Sequence, residues 1–373
     1  MFGNQRIPGQ VAQLHAATQL SPASAGQRKQ QLPSTDVDRT APTPRLGQHR
    51  RNAPIAALVL LAVAAMGVTG CSKTPPSYRV TATVPVGKWA SEVAVDPGTH
   101  TVYVTNVDDA TVAVIDGSKR TVTATVPVGK GPGPVGVAVD PGTHTVYVAN
   151  QFDNTVAVID ASTRTVTATV PVGDHPMGVA VDPGSDTVYV TSAGPEIPVS
   201  VIDGSTRTVA ATVPAGTHPV GVAVDPGSHA VYVANQFDNT VAVIDGSTRT
   251  VVATVPVGTH PAHLAVDPGT HLVYVTNGGD GTVSMIDAST RTVTATVPVG
   301  KHPDEVAVDP GTHTIYVTNN ADNTVSVIDA STRTVTATVP VGKHPGGVAV
   351  DPGSHTVYVT NGGDNTVSVI ESR

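Results

Sequence analysis

A repeat of 42 to 44 residues runs from residue 79 to the end of this chain and constrains its fold more than any other feature. Each copy contains a valine-rich segment, the tripeptide Asp-Pro-Gly, two further segments rich in Val and Thr, and a segment close to RTVTATVPVG. The Asp-Pro-Gly markers begin at Asp96, Asp140, Asp182, Asp225, Asp267, Asp309 and Asp351. A repeat of this length that holds four short strands is typical of one blade of a β-propeller.

The two ends of the repeated region predict how the ring closes. The seventh copy stops at Arg373, after its third strand, whereas an additional fourth-strand segment, residues 80–86, precedes the first copy. An N-terminal strand that completes the last blade leaves no open seam in the ring. The sequence therefore predicts an all-β fold: a seven-bladed β-propeller with four antiparallel strands per blade, closed by the N-terminal strand.

Turn-forming residues separate the predicted strands within each copy. In the seventh copy, residues 351–355 form the turn after the first strand, where Pro352 fixes φ and Gly353 is expected to take the positive φ. The next two strands, residues 356–360 and 366–370, alternate β-branched and aromatic residues. Val and Ala occupy both faces of these strands, so we expect both faces to be buried against neighbouring blades.

A tetrapeptide in the second strand of each copy resembles that of a known repeat family. Four copies read Tyr-Val-Thr-Asn and three carry close variants, starting at Tyr103, Tyr274, Tyr316 and Tyr358, and at Tyr147, Tyr189 and Tyr232. On these motifs, residues 79–371 resemble the YVTN-type β-propeller repeat family. The resemblance implies the propeller fold and an envelope or secreted protein of bacteria or archaea. It implies no activity, because one propeller scaffold supports many functions, metal-dependent reductases and lactonases among them.

Residues 50–70 have the features of a lipoprotein signal peptide. A pair of arginines precedes the short apolar run of residues 55–67, and Val-Thr-Gly then leads to Cys71. This arrangement resembles the lipobox of bacterial lipoproteins, in which Cys71 would carry the lipid and begin the mature chain. The alternative is an ordinary cleaved signal with an incidental cysteine. We expect a protein exported and lipid-anchored to the bacterial membrane, facing the extracytoplasmic side.

The remaining boundaries follow from composition. Residues 1–49 are polar, and they are either a disordered lead or the product of a start codon assigned too far upstream. Residues 71–78 include two prolines and form a short tether, and residues 79–373 form the propeller. Cys71 is the only cysteine, so no internal disulfide supports the fold.

Charge limits the class of partner. The first 70 residues hold seven Lys or Arg and two Asp or Glu, so the remainder keeps 14 basic and 27 acidic residues, a net charge of −13. An acidic ring lacks the basic surface that sequence-independent binding of nucleic acid requires. We therefore expect no nucleic acid, membrane contact through the lipid anchor only, a monomer, and an envelope protein or glycan as partner.

Histidines recur at two positions of the repeat. Eleven of the fourteen do so: six end the first turn (His100, His144, His229, His271, His313, His355), and five precede the first strand (His175, His218, His260, His302, His344). No pair has the spacing of metal ligands within one loop, so we interpret them as loop residues. The repeated Asn-x-x-Asp-Asn loops lack the carboxylates of calcium loops and are expected to form Asx-turns. Trp89 is the only tryptophan, which disfavours quinone-cofactor propellers, and no cofactor is expected.

Departures from the repeat are the informative positions, because residues shared by all copies serve the fold. Several fall on the loops of one face and predict a binding surface: Trp89, Ser91, Glu92, Phe152, Glu196 and Phe237. Exposed aromatic residues are typical anchors for recognition. Drift in tolerant loops is the alternative.

A second group of departures replaces a glycine just before the first strand. Glu92, His263 and Glu305 stand there in copies one, five and six. Two carboxylates and an imidazole could bind a cation or act as acid and base, provided that the ring brings these copies together. No metal or catalytic residue is assigned on this ground. The sequence favours a membrane-anchored binding or interaction scaffold without catalysis, with a metal-binding or enzymatic propeller, lactonase-like or resembling metal-dependent oxidoreductases, as the alternative.

Overall fold

A computed structural model describes residues 77–131, 133–194 and 198–373, with Pro198 described in its backbone only. These residues form seven four-stranded antiparallel sheets, which confirms the predicted seven-bladed propeller. Among them there is no helix long and apolar enough to cross a membrane. The predicted lipidation residue Cys71, the segments 1–49 and 50–70, the tether up to residue 76, and Glu196 lie outside the described residues.

The strands follow one another blade by blade after β1 (Tyr78–Pro85). Blade one holds β2 (Ala90–Asp96), β3 (Thr101–Asn106), β4 (Thr111–Asp116) and β5 (Thr121–Pro127). Blade two holds β6 (Pro134–Asp140), β7 (Thr145–Asn150), β8 (Thr155–Asp160) and β9 (Thr165–Pro171). Blade three holds β10 (Pro176–Asp182), β11 (Thr187–Ser192), β12 (Pro198–Asp203) and β13 (Thr208–Pro214). Blade four holds β14 (Pro219–Asp225), β15 (Ala230–Asn235), β16 (Thr240–Asp245) and β17 (Thr250–Pro256).

The last three blades repeat the pattern. Blade five holds β18 (Pro261–Asp267), β19 (Leu272–Asn277), β20 (Thr282–Asp287) and β21 (Thr292–Pro298). Blade six holds β22 (Pro303–Asp309), β23 (Thr314–Asn319), β24 (Thr324–Asp329) and β25 (Thr334–Pro340). Blade seven holds β26 (Pro345–Asp351), β27 (Thr356–Asn361) and β28 (Thr366–Ser372), and β1 is its fourth strand. We call the four strands of each blade A to D, in order from the central channel outwards.

Ring closure follows the prediction. Strand β1 pairs antiparallel with β28, with Val84 opposite Val367 and Tyr78 opposite Ser372. Ser77 and Arg373 exchange backbone hydrogen bonds of 3.1 and 2.9 Å. The first and last described segments of the chain are thereby joined in one sheet, so blade seven has the same four strands as the other blades.

The hydrophobic core lies between the blades. Seven clusters of buried residues each join the strands of one blade to those of the next. The tyrosine of strand B is buried in each blade, and Tyr103, for example, packs against Val146 and Val148 of blade two. Val and Ala on both faces of each sheet permit this close stacking, as the sequence predicts.

The first turn of each blade differs from the prediction in one respect. The positive φ falls on the last residue of the turn, for example His100 at 55° and His355 at 55°, and not on the glycine of Asp-Pro-Gly. Blade three has Asp186 at this position, with φ of 50°. Asp and His are among the residues that tolerate this left-handed region best after glycine and asparagine.

Strand A begins with a bulge in every blade. Its pairing with strand B shifts register between the first and fourth residues, for example between Ala90 and Val93. In blade one the Thr105 hydroxyl accepts the N–H of Glu92 at 2.9 Å and donates to the Val135 carbonyl of blade two at 3.0 Å. The threonine of Tyr-Val-Thr-Asn therefore satisfies bulge peptide groups on two blades and fixes the backbone at the channel.

Candidate functional site: the channel mouth

The third residue of strand A is glycine in some blades and an ionisable residue in the others. It is glycine in four blades: Gly136, Gly178, Gly221 and Gly347. A Cβ on Gly221 would lie 2.5 Å from the Ala262 carbonyl of the next blade, so neighbouring backbones pack here too closely for a side chain. The remaining three blades carry Glu92, His263 and Glu305 at this position. We call these three residues the mouth cluster, because strand A starts where the channel opens.

The ring brings the mouth cluster together from blades one, five and six. His263 Nδ1 is in hydrogen-bonding contact with Glu305 Oε2 and lies 3.8 Å from Glu92 Oε1. One potential ligand atom from each residue lies within 4.8 Å of the other two. The condition that the sequence left open, whether these blades meet, is therefore fulfilled in the structure.

The backbone of each cluster residue is held in the same way. The N–H groups of Glu92, His263 and Glu305 each donate to the hydroxyl of the strand-B threonine in their own blade, at 2.9 to 3.0 Å. These bonds lie within the bulge that turns the side chains toward the channel. The positions of the side chains are therefore set by rigid strands and not by a loop.

Asp304 adds a third carboxylate beside the cluster. It precedes Glu305 in β22, and its Oδ1 atom lies 4.0 Å from His263 Nε2. The imidazole thus has Glu305 and Glu92 on its Nδ1 side and Asp304 on its Nε2 side. Sequence reasoning missed Asp304, although no other blade has an acidic residue at the second position of strand A.

Burial and mutual proximity change the protonation of the cluster. The side chains of Glu92, His263 and Glu305 are only 13–18% exposed, so protein surrounds most of each. Burial, and then the Glu305 carboxylate, raise the pKa of Glu92 well above its ordinary value. Burial opposes the charged form of His263, but Glu305, Glu92 and Asp304 outweigh it and raise the pKa of His263 to about 10. Burial and the neighbouring carboxylates therefore oppose the charged form of Glu92, and the carboxylates favour the protonated form of His263.

The aromatic residues predicted for the binding surface are exposed on the loops between strands D and A and between strands B and C. We call this side of the disc the loop face. Trp89, Phe152 and Phe237 are 43%, 51% and 60% exposed. Each ring lies beside a loop histidine. Trp89 stacks on His344 with ring centroids 6.3 Å apart, and Phe237 stacks on His218 with centroids 4.3 Å apart. Phe152 meets His175 edge-on, with centroids 6.2 Å apart. Ser91 is partly buried, and its carbonyl accepts the Thr360 hydroxyl at 2.5 Å, so its main chain joins two blades.

Polar loop residues hold the loop face in place. The Asn365 side chain accepts the backbone N–H of Trp89 at 2.8 Å, and Asn154 accepts that of His175 at 2.9 Å. These bonds cross from one blade to the next. The expected Asx-turns are thus only part of the role of the Asn-x-x-Asp-Asn loops, since the asparagine side chains also fix the neighbouring loop.

The opposite side of the disc, the turn face, carries a second set of histidines with a different role. Six of them bind, through Nδ1, the Asp-Pro-Gly aspartate of the preceding blade, and we call these pairs the His–Asp belt: His100–Asp351, His144–Asp96, His229–Asp182, His271–Asp225, His313–Asp267 and His355–Asp309. Five of the six distances are 2.7 Å, and the aspartates are almost fully buried. The sequence interpretation of these histidines as simple loop residues missed this pairing, because each partner lies 46 to 48 residues away or, for His100, 251 residues away.

Fold and site together define a seven-bladed β-propeller with an imidazole and two carboxylates inside the mouth of its channel. Residues 160–371, more than half of the chain, match the model of the lactonase family described as "Lactonase, 7-bladed beta-propeller", and the chain belongs to that family. None of the curated proteins compared with it matches.

Solved structures confirm the architecture alone. Hydrazine synthase of Kuenenia stuttgartiensis has a chain that superposes with a TM-score of 0.68 at 20% sequence identity, over 75% of this chain and 95% of that one. In all, 1601 chains of solved structures match, so the fold is too widespread to indicate an activity. The site must therefore be interpreted from its own residues.

Proposed function

We propose that this protein is a ligand-binding β-propeller that takes its ligand at the channel mouth, on the loop face. The mouth cluster is the observation that carries this proposal. Three ionisable side chains from three blades meet at the one inner position where the other blades have glycine. Ionisable groups gathered in a concave, largely enclosed place are typical of functional sites.

The loop face extends this site outward. Trp89 lies three residues before Glu92, and Phe152 and Phe237 expose their rings on the loops of the same face. The aromatic rings are held by contacts with histidines, so little conformational freedom is lost when a partner covers them. We therefore propose an envelope protein or glycan as the partner, bound without any requirement for catalysis, by a monomer of this chain.

Capture from a cell-envelope extract and from an envelope polysaccharide fraction tests this proposal. An aromatic anchor at the centre of an interface often contributes about 2 kcal/mol or more, so we expect Trp89→Ala and Phe152→Ala to reduce capture by roughly 30-fold. Val252→Ala is the matched control, because Val252 is 40% exposed on an outer strand. Equal capture by all three variants would remove the loop face from the binding surface.

A second candidate function is hydrolysis of a lactone, and family membership is the observation that favours it. Carboxyl and imidazole groups are the residue types that act in general acid–base catalysis. The purified chain should then open γ- or δ-lactones faster than buffer, and His263→Ala should reduce the rate by about 100-fold or more. Hydrolysis at the buffer rate, or an unchanged rate in His263→Ala, would exclude this candidate.

Export and membrane attachment are a separate proposal that rests on sequence. The apolar run before Cys71 supports a lipoprotein signal, and the Tyr-Val-Thr-Asn motifs support kinship with envelope propellers of the YVTN type. Mass spectrometry of the mature chain should find Cys71 at the N-terminus with acyl chains attached. An unmodified N-terminus at another residue would contradict the proposal, and Cys71→Ser should leave the membrane fraction without the mature protein.

A further inference from the structure

We infer that Glu92, His263 and Glu305 bind one divalent transition-metal ion, of the zinc class, in the mouth of the channel. The inference rests on the proposed function in one respect, since it assigns a ligand to the same site. The inference goes beyond the proposed function by stating the chemical nature of that ligand. It also names the atoms that hold the ion: Glu92 Oε1, His263 Nδ1 and Glu305 Oε2.

The geometry of the three atoms fits one ion. Ligand atoms at bond lengths of about 2.0–2.2 Å around a tetrahedral zinc ion lie about 3.3–3.6 Å apart. His263 Nδ1 and Glu92 Oε1 are 3.8 Å apart, and one ligand atom from each of the three residues lies within 4.8 Å of the other two. Glu305 Oε2 contacts His263 Nδ1 directly, so this carboxylate has to move away from the ring to admit the ion.

The donor set favours a transition metal over calcium or magnesium. One imidazole nitrogen and two carboxylate oxygens are ligands that zinc accepts, and three protein ligands leave a fourth position open. Calcium requires six to eight oxygen ligands, more than the cluster offers. Manganese accepts the same atoms with lower affinity than zinc. We therefore expect zinc to bind most tightly, manganese more weakly, and calcium and magnesium weakest.

The surroundings of His263 support its role as a ligand. Its Nε2 atom faces Asp304 Oδ1 at 4.0 Å, while Nδ1 faces the two glutamates. Metal-binding histidines commonly direct their second nitrogen toward a carboxylate, which fixes the tautomer and the ring orientation. At 4.0 Å Asp304 is beyond hydrogen-bonding distance of Nε2, and we assign it as a positioning residue that accepts the Nε2–H on closer approach and leaves Nδ1 for the ion.

No side chain of blade seven occupies the space beside the two glutamates. Blade seven lies between the blades of Glu305 and Glu92, and it carries Gly347 at the equivalent position. A Cβ on Gly347 would lie 2.8 Å from the Cα atom of Glu92, so no side chain from blade seven stands between the two carboxylates. An ion bound here can take water or a ligand atom from the loop face as its fourth ligand.

Titration of the full chain with metal salts tests the inference. Chain freed of metal by chelator is titrated with ZnCl₂, MnCl₂, CaCl₂ and MgCl₂, and we expect one equivalent of zinc to bind with the highest affinity. His263→Ala and Glu305→Gln should each weaken zinc binding by about 100-fold or more, and Asp304→Asn by about 10- to 100-fold. His302→Ala is the control, because it removes an exposed histidine of the loop face. All variants keep His15, His49 and Cys71, so zinc bound by the N-terminal segment contributes equally to each.

Anomalous diffraction from zinc-soaked crystals of the full chain locates the ion independently of whether a variant folds. We expect a peak between His263 Nδ1 and the two glutamates. Peaks only at the His–Asp belt or at the loop histidines, or equal zinc affinity in His263→Ala and the wild type, would overturn the inference. If zinc binding fails while Trp89→Ala still reduces capture, the metal inference alone falls. If zinc does not bind and Trp89→Ala does not reduce capture, both the metal inference and the proposed function are wrong.

Discussion

The two faces of the disc use the same residue types for opposite purposes. On the turn face, histidine and aspartate form six nearly identical pairs between neighbouring blades. On the loop face, the described residues bring histidine and glutamate together once, at the mouth cluster. A histidine beside a carboxylate, taken alone, would suggest chemistry on either face. The pairs of the turn face repeat from blade to blade, however, whereas the mouth cluster does not.

The belt aspartates show what a purely structural site looks like. Asp351 accepts the Gly353 N–H, the Ser354 hydroxyl and His100 Nδ1 at 2.7 to 3.1 Å, and its side chain is 2% exposed. Its oxygens are therefore occupied by the turn and by a histidine that six of the seven blades supply. In the mouth cluster the three ionisable groups have mainly one another as partners, and burial and mutual repulsion oppose the charge on Glu92. Repetition thus indicates stability, and a singular, electrostatically costly cluster indicates function.

The largest effect should come from removing a shared element, the closing strand β1. Deletion of residues 78–85 exposes the edge of β28 and takes Val84 out of the cluster between blades seven and one. We expect aggregation or a fall in melting temperature of more than about 10 °C, since several kilocalories of packing are lost. A chain that lacks residues 72–76 but keeps β1 is the control in thermal unfolding followed by circular dichroism. Equal melting of the two deletions would contradict closure by β1.

The second prediction separates the two kinds of histidine. His144→Ala leaves the buried Asp96 carboxylate without its 2.7 Å partner, whereas His302→Ala removes an exposed ring. Both residues have a positive φ, of 52° and 48°, so the backbone cost of alanine is matched. We expect His144→Ala to lower the free energy of unfolding by about 1.5–3 kcal/mol more than His302→Ala, measured by urea denaturation. A difference below about 0.5 kcal/mol would mean that the belt adds little to stability.

The third prediction concerns blade three, which lacks the histidine of the His–Asp belt. Blade three carries Asp186 where other blades have histidine, and burial, then Asp140 and Asp203, raise the pKa of Asp186. A carboxyl whose pKa is raised on folding lowers the free energy of unfolding as pH rises above its unfolded pKa of about 3.8, and the loss is complete above the folded pKa. The penalty is absent below the unfolded pKa. Asp186→Asn should therefore stabilise the protein at pH 7 but not at pH 3.

Asp186→His should stabilise further at pH 7, because it also supplies a partner for Asp140. A Cβ built on Gly142 would meet only the Asp140 carboxylate, so the space that imidazoles fill in other blades is open here. We expect a total gain of about 0.5–2 kcal/mol in urea denaturation. No gain from either variant would show that the belt tolerates this gap at no cost.

The smallest effect on stability should come from the mouth cluster itself. Glu92→Gln keeps the shape of a side chain that burial and Glu305 already disfavour as an anion. We expect a change in the free energy of unfolding within about 0.5 kcal/mol, together with a loss of zinc affinity of about 100-fold. A destabilisation above about 2 kcal/mol would place Glu92 among the residues that hold the fold together.

The repeat predicts the fold because its copies can be aligned and its strands counted. The surplus strand before Ala90 and the missing strand after Arg373 are visible in one sequence, so closure could be foreseen. The belt could not, since His144 and Asp96 belong to different copies and nothing in either copy points to the other. The positive φ was assigned to Gly353 by local turn rules, and the structure places it on His355 because the turn closes two residues later.

The candidate site could be predicted only in part. Glu92, His263 and Glu305 stand out because they replace glycine, and His263 is the one histidine of the propeller outside the two repeated positions. Their convergence depends on how far each side chain reaches across the channel, which the bulge of strand A decides and the sequence does not reveal. The rings of Trp89 and Phe152 are exposed, and the stacking of Trp89 on His344 and the edge-on contact of Phe152 with His175 were not foreseen.

Elemental analysis of the full chain, purified without chelator, tests most directly whether the singular residues of the channel mouth form a functional metal site. Wild type, His263→Ala and His144→Ala are compared by inductively coupled plasma mass spectrometry at equal protein concentration. We expect about one equivalent of zinc or manganese in the wild type and in His144→Ala, and none above background in His263→Ala. No metal in the wild type, or the same metal content in His263→Ala as in the wild type, would contradict the account.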